Sequence, residues 1–94
     1  MIAMAQLSRH IRITGRVQGV AYRAWTKARA DALDLSGWVR NEEDGSVTAL
    51  VSGPDAAVEE MCTAFWDGPG AAAVSDVRVT SAQAPDDTGF RILR

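Results

Sequence analysis

The chain has 94 residues, 47% of them hydrophobic, with ten Lys and Arg against twelve Asp and Glu for a formal net charge of −2. That length predicts one domain over residues 1–94, able to bury ~65% of its unfolded surface without staples, and the charge argues against a general polyanion binder. The single cysteine, Cys62, excludes an intrachain disulfide and the paired-cysteine metal sites of some small α+β modules, and fits a reducing cytoplasm.

Residues 1–6 read as a flexible N-terminus. Met1 to Ala5 are apolar, but too short for a signal h-region and without a charged n-region. No run approaches the ~18 apolar residues of a membrane span. Strand one runs from Gln6 or Leu7 to Thr14. Leu7, Ile11 and Ile13 face the core, and His10 and Arg12 face the other way. His10 is the only histidine. No Ser, Cys or second ligand is placed to work with it, so it reads as an exposed strand residue.

Gly15-Arg16-Val17-Gln18-Gly19-Val20-Ala21 then joins this strand to a helix from Tyr22 to about Leu33. Trp25, Ala28, Ala32 and Leu35 fall at helical spacing, with Arg23, Thr26, Lys27 and Asp31 on the wet side. A glycine-containing loop before a helix can point several backbone N–H groups at one spot. The helix N-terminus adds positive dipole, and Arg23 adds a planar donor fork suited to phosphate. The local reading is a phosphate cradle. It is neither a P-loop nor a dinucleotide loop, since Gly-x-x-x-x-Gly-Lys and G-x-G-x-x-G are both absent from it.

Asp34-Leu35-Ser36-Gly37 ends the helix. Strand two spans Gly37 to Asn41 and strand three Ser46 to Ser52, with Val47, Ala49 and Val51 inward. Glu42-Glu43-Asp44-Gly45 is the hairpin turn between them. Trp38 reads as core or sheet surface. Asn41 reads equally as a turn-former at a strand end and as a functional residue. Gly53-Pro54-Asp55 opens helix two, whose apolar stripe is Val58, Met61, Cys62 and Phe65. Cys62 on that stripe is a small hydrophobe rather than a nucleophile. Asp67-Gly68-Pro69-Gly70 stops the helix, and Val77 and Val79 begin a fourth strand reaching about Gln83. After a turn over residues 84–89, Phe90 to Leu93 form a short fifth strand with Phe90 and Ile92 inward.

The order β-α-β-β-α-β predicts an α+β, ferredoxin-like βαββαβ sandwich, an antiparallel sheet with two helices on one face and a short fifth strand. In that topology the loop after strand one and the end of strand two can lie at one edge of the sheet, which would bring Arg23 and Asn41 together. Charge is uneven along the chain. Arg9, Arg12, Arg16, Arg23, Lys27 and Arg29 fall within residues 1–30, which hold no acid, so the summed field favours a small anion near the Gly15 loop.

The stretch G-R-V-Q-G-V-A-Y-R, residues 15–23, resembles the first signature of the acylphosphatases, with Tyr22 where that family usually has Phe. Gly37-Trp38-Val39-Arg40-Asn41 followed by Asp44-Gly45-Ser46-Val47, and Gly89-Phe90-Arg91-Ile92, match further on. The family usually has Gly where this chain has Asp34, which suggests a left-handed helix end. The resemblance implies the same fold and hydrolysis of acyl phosphates to a carboxylate and inorganic phosphate. It assigns catalysis to Arg23 and Asn41.

The residues support that chemistry separately. The sequence offers no metal-ligand cluster and no nucleophile–base pair. Phosphoryl transfer needs mainly positioning and charge stabilisation. A carboxylate leaving group, with a conjugate acid of pKa near ~4, departs without a metal or general acid. No metal and no cofactor are therefore expected. The backbone N–H groups of Arg16, Val17, Gln18, Gly19, Val20, Ala21 and Tyr22 form the phosphate-binding loop, Arg23 grips the phosphoryl oxygens, and the Asn41 carbonyl holds the attacking water. Arg16 and Arg40 flank that pair without a catalytic role of their own.

The partner expected is a small-molecule acyl phosphate, with no nucleic acid and no membrane, for a monomer in the cytoplasm. Competing readings are a non-enzymatic anion-binding module, a single-stranded RNA binder, and the acylphosphatase-like domain of a larger carbamoyl-transfer protein. Strand three carries no aromatic for RNA stacking. The chain ends where the larger protein's domain would, which favours a free-standing protein.

Overall fold

The computed structural model describes residues 6–94. The flexible stretch expected over residues 1–6 therefore lies outside the described residues, except Gln6, which already belongs to the first strand. The elements are β1 (Gln6–Arg16), α1 (Tyr22–Ala32), β2 (Ser36–Asn41), β3 (Val47–Pro54), α2 (Asp55–Ala64), β4 (Ala73–Ser81) and β5 (Phe90–Ile92).

Alternation in β1 buries Ile11 and Ile13 completely. β1 pairs antiparallel with β3 on one side and β4 on the other, and β2 pairs antiparallel with β3. The sheet order is β4-β1-β3-β2-β5. β5 joins β2 in parallel, so the completed sheet is mixed. Both helices cover one face. Ile11, Ile13, Val39 and Ala49 from the sheet meet Ala30 of α1 and Met61 of α2 in one core. This is the ferredoxin-like α+β sandwich that the order of elements predicts. No helix among the described residues is long and apolar enough to cross a membrane.

α1 is rotated from its expected phase. Tyr22, Thr26 and Ala30 are its buried residues, while Ala28 and Ala32 are exposed and Trp25 is half-buried. Thr26, expected on the wet side, is fully buried. The large ring of Tyr22 sets the phase, stacking on Phe65 of the second helix region at 6.3 Å. One turn later, the Thr26 hydroxyl donates to the Tyr22 carbonyl at 2.9 Å, so its burial leaves no polar atom orphaned. In α2, Val58, Met61 and Phe65 are buried as expected, and Cys62 is half-buried. Burial pushes the Cys62 thiol up, which fits a packing role.

β4 begins at Ala73, earlier than the valine alternation indicates. β1 continues past Thr14 and pairs Gly15 with Val74 and Arg16 with Ala73, across a bulge between Thr14 and Gly15. That bulge breaks the alternation and hides the strand start. Gly15 has φ 117°, and a Cβ there would strike the Ala73 carbonyl oxygen, so close strand approach requires glycine. Phe90 of β5 is buried as expected, but Ile92, expected inward, is 43% exposed.

The end of α1 is left-handed. Asp34 has φ 57°, its N–H donates to Asp31 at 3.0 Å, and the Leu35 N–H donates to Ala30 at 2.9 Å. These are the two bonds of a Schellman motif. Asp tolerates the conformation less well than Gly. Asp34→Gly should therefore stabilise the fold by roughly 0.5–1 kcal/mol without altering turnover, read as a higher urea midpoint at unchanged slope. A lower midpoint would mean that the Asp34 side chain contributes more than its backbone costs.

Candidate active site

One cavity of about 250 Å³ opens where β1 passes into α1 and β2 ends. Its lining is Val17, Gly19, Ala21, Tyr22, Arg23, Ala24, Asn41 and Ile92. Thus the loop, the first turn of α1 and the end of β2 meet at one edge of the sheet, and β5 closes the side.

The loop curls because two of its residues adopt positive φ, Gly19 at 74° and Ala21 at 64°. Ala21 does so with a Cβ, an uncommon conformation held here by the neighbouring structure. Val17 is buried and fixes the loop's start in the core. Tyr22 fixes its end. Its hydroxyl donates to the Phe65 carbonyl at 2.5 Å, and burial, followed by the charge of Asp67, pushes that hydroxyl far above the ordinary phenol range. The phenolic oxygen thus has its partner outside the cavity lining.

The donors between those anchors are unused. The first N–H of α1 with a carbonyl partner is Trp25, to Ala21 at 3.0 Å, leaving Tyr22, Arg23 and Ala24 without intrahelical acceptors. Gln18, Gly19, Val20 and Ala21 N–H groups likewise donate to no carbonyl among the described residues. Ala21 at the N-cap has no side-chain oxygen to cap the helix, and the first turn contains no acid. An uncapped helix end with a positive dipole suits an anion. Arg23 forms no ion pair among the described residues. One of its Nη atoms donates to the Leu93 carbonyl at 3.3 Å, which orients the guanidinium and leaves most of the fork free.

Asn41 reaches the cavity from the end of β2, and its amide has no protein partner among the described residues. The turn beyond it is clamped from the loop. The Gln18 side-chain amide donates to the Glu42 and Ser46 carbonyls, both at 2.8 Å. Within the turn, Asp44 accepts the Ser46 N–H at 3.0 Å and the Ser46 hydroxyl at 2.6 Å, and pairs with Arg12. Those Ser46 bonds, with Arg12, hold the Asp44 carboxyl down at about 2. Glu42 accepts from Thr48 and from Arg40, the latter at 2.7 Å, and both hold its carboxyl below the usual range.

Of the predicted site residues, Val17, Gly19, Ala21, Tyr22, Arg23 and Asn41 line the cavity together. Gln18 contributes its side chain to the hairpin. Val20 is half-buried and packs against the core. Arg16 is exposed at the end of β1 and does not line the cavity. Arg40 lies over the Trp38 ring at 4.9 Å, and His10 meets the same ring edge-on at 6.0 Å, so both sit on the face of the sheet opposite the helices. Ala24 and Ile92 were missed. Ile92 shares its alternation with buried Phe90, and only the missing cover above it distinguishes the two. The lining carries a guanidinium, a carboxamide and backbone donors, with no carboxylate, imidazole or thiol. It can bind and orient an anion without side-chain acid–base chemistry.

The acylphosphatase family model matches residues 9–92. An acylphosphatase from Rhizobium meliloti (strain 1021) is 59% identical over 87 residues, which cover 89% of this chain and 90% of the relative. Among solved structures, an acylphosphatase from Coxiella burnetii superposes with a TM-score of 0.90 at 32% identity, covering 94% of this chain and 93% of the other. The acylphosphatase from Bacillus subtilis gives 0.88 at 35% identity, covering 94% and 99%. With a match across nearly all of the ordered elements and a cavity whose donors suit a phosphoryl group, the chain belongs to the acylphosphatase family.

Proposed function

We propose that this chain hydrolyses acyl phosphates by holding the phosphoryl group between the uncapped start of α1 and Arg23, while Asn41 positions the attacking water. The activity itself, acyl phosphate hydrolysis, is that of the family to which the chain belongs. The observation that carries the division of roles is the meeting of free N–H groups, Arg23 and Asn41 in one cavity.

The substrate arrives as a dianion, R–CO–OPO₃²⁻. The loop and helix N–H groups and the Arg23 fork bind its three equatorial oxygens, whose charge the transition state redistributes. Asn41 accepts a hydrogen bond from water through its side-chain carbonyl and aims it at phosphorus, in line with the acyl oxygen. The new P–O bond forms as the bond to the acyl oxygen breaks. The electron pair leaves with the carboxylate, and both water protons end on phosphate, giving R–COO⁻ and H₂PO₄⁻. Asn is too weak a base to take the proton, so the phosphoryl oxygens accept it. The carboxylate leaves without a proton or metal because its conjugate acid has a pKa near ~4. A stable alkyl phosphate would need more apparatus.

The reading extends to a single domain acting as a monomer in the cytoplasm, without metal, cofactor, nucleic acid or membrane partner. The lone half-buried Cys62 fits a reducing compartment. A base-stacking role on the open sheet face is disfavoured because Arg40 and His10 already contact the Trp38 ring.

Arg23→Lys retains charge but loses the planar fork. We expect kcat/KM to fall by at least about 10²-fold and inhibition by inorganic phosphate to weaken. Near-normal values of both would remove Arg23 from the phosphoryl site. Asn41→Ala should lower kcat by about 10²–10³ with little change in KM, because water rather than phosphate loses its support. Poor binding with normal turnover would reassign Asn41 to phosphate. The cavity lining holds no carboxylate, imidazole or thiol, so kcat should stay flat from mildly acidic to mildly alkaline pH, with and without chelator. His10→Ala should not alter that profile. A bell-shaped curve lost with His10 would overturn the mechanism.

Gln18 acts through the hairpin. Gln18→Ala should reduce kcat by roughly 10-fold in the wild type but add little in an Asn41→Ala background, the non-additivity expected of residues acting as a unit. Additive losses in that double-mutant cycle would separate the two.

A further inference from the structure

Trp66, Val79 and Ile92 are the exposed large hydrophobic residues among those described. Of these, Ile92 alone lines the active cavity. It lies on the same face of β5 as Phe90, which is only 4% exposed, yet Ile92 itself is 43% exposed. The difference arises from α1. Opposite Ile92 the helix presents its first turn, where the cavity-lining residue after Arg23 is the small Ala24. No large side chain covers the isoleucine.

The cavity consequently has two chemically different sides. One is polar, with the free N–H groups and the Arg23 fork. The other is aliphatic and exposed, with Ala24 and Ile92. A bound acyl phosphate places its phosphoryl oxygens on the donors, so its acyl group must emerge toward the opening. There it meets methyl and methylene surface. The only charged residue in the lining is Arg23, already committed to phosphate, so a second carboxylate, ammonium or phosphate on the acyl group finds no partner.

We propose that Ile92 and Ala24 form an acyl-side wall that selects acyl phosphates with an apolar or aromatic acyl group over those with a very small or charged one. This rests on Arg23 and the loop being the phosphoryl site. An aromatic ring laid against Ile92 removes apolar area of both partners from water, a gain an acetyl group can match only in small part. Because the contact persists from bound substrate to transition state, it acts mainly on KM.

The test compares benzoyl phosphate with acetyl phosphate, using wild type, Ile92→Ala and Ile92→Leu, with inorganic phosphate as competitor. Ile92→Ala should lower the benzoyl-to-acetyl ratio of kcat/KM by about 5–10-fold, chiefly by raising KM for benzoyl phosphate. Ile92→Leu, which keeps the carbon count, should hold the ratio within about twofold of wild type. An unchanged ratio in Ile92→Ala, or equal losses on both substrates, would overturn the wall. Those failures leave phosphate competitive with benzoyl phosphate. If phosphate does not compete in the wild type, the phosphoryl-site assignment itself falls.

Discussion

One carboxamide joins the two halves of the active site. The phosphate cradle belongs to the β1–α1 loop, and Asn41 belongs to the end of β2, elements separated in sequence by the whole of α1. The ladder ties β1 to the hairpin through β3 as far as Ile13 and Val47, but it stops short of the loop, and β2, which carries Asn41, pairs with β3 and β5 rather than with β1. Gln18 supplies the link. Its two amide hydrogens are taken by the Glu42 and Ser46 carbonyls on either side of the turn. Ser46 O also accepts the Glu42 N–H at 2.8 Å, so loop and turn share an acceptor. Positioning catalysis depends on such distances, since a misplacement of about 1 Å can cost 10²-fold in rate.

The same economy places the loop on the core. Val17 and Tyr22 bracket it and are both buried, while the N–H groups of the residues between them find no backbone acceptor among the described residues. Tyr22 connects to the second helix region through its ring and its hydroxyl, and Thr26 and Ala30 continue its buried face along α1. A local strain, Ala21 at φ 64°, is tolerated because both flanks are anchored. The donors that an ordinary helix start would satisfy with a Ser or Asp cap remain free for a ligand.

The strand–loop–helix junction, the hairpin and the order of elements were legible in the sequence because each has a local cause. Alternation marks β1 and β3, and Glu42-Glu43-Asp44-Gly45 marks the turn. The misjudged features have long-range causes. Thr26 reads as polar surface until its hydroxyl is seen to bond the preceding turn of its own helix. β4 starts early because a bulge opposite Gly15 breaks the period. Ile92 reads as core because sequence reveals the face of a strand, not whether anything covers that face. The Gln18 amide was also silent, since its partners are backbone carbonyls that carry no residue-type signal. Arg23 and Asn41 were legible for a different reason. Their types and neighbours resemble a family, whereas pattern alone left Asn41 as readily a turn-former as a catalyst.

Charge near the site raises a further constraint. The chain is net negative, and three consecutive acids, Glu42, Glu43 and Asp44, follow directly after Asn41. A dianionic substrate should be repelled by such a run. The structure neutralises most of it locally. Asp44 pairs with Arg12 and accepts from Ser46, and Glu42 pairs with Arg40 and accepts from Thr48. Both carboxylates are thereby drawn onto the hairpin and toward the open sheet face. Arg23, by contrast, has no carboxylate partner among the described residues. The arginines of β1 and β2 therefore act at one remove. By compensating the turn's acids, Arg12 and Arg40 leave the field at the loop to Arg23 and the helix dipole, the two positive features that the phosphoryl group meets.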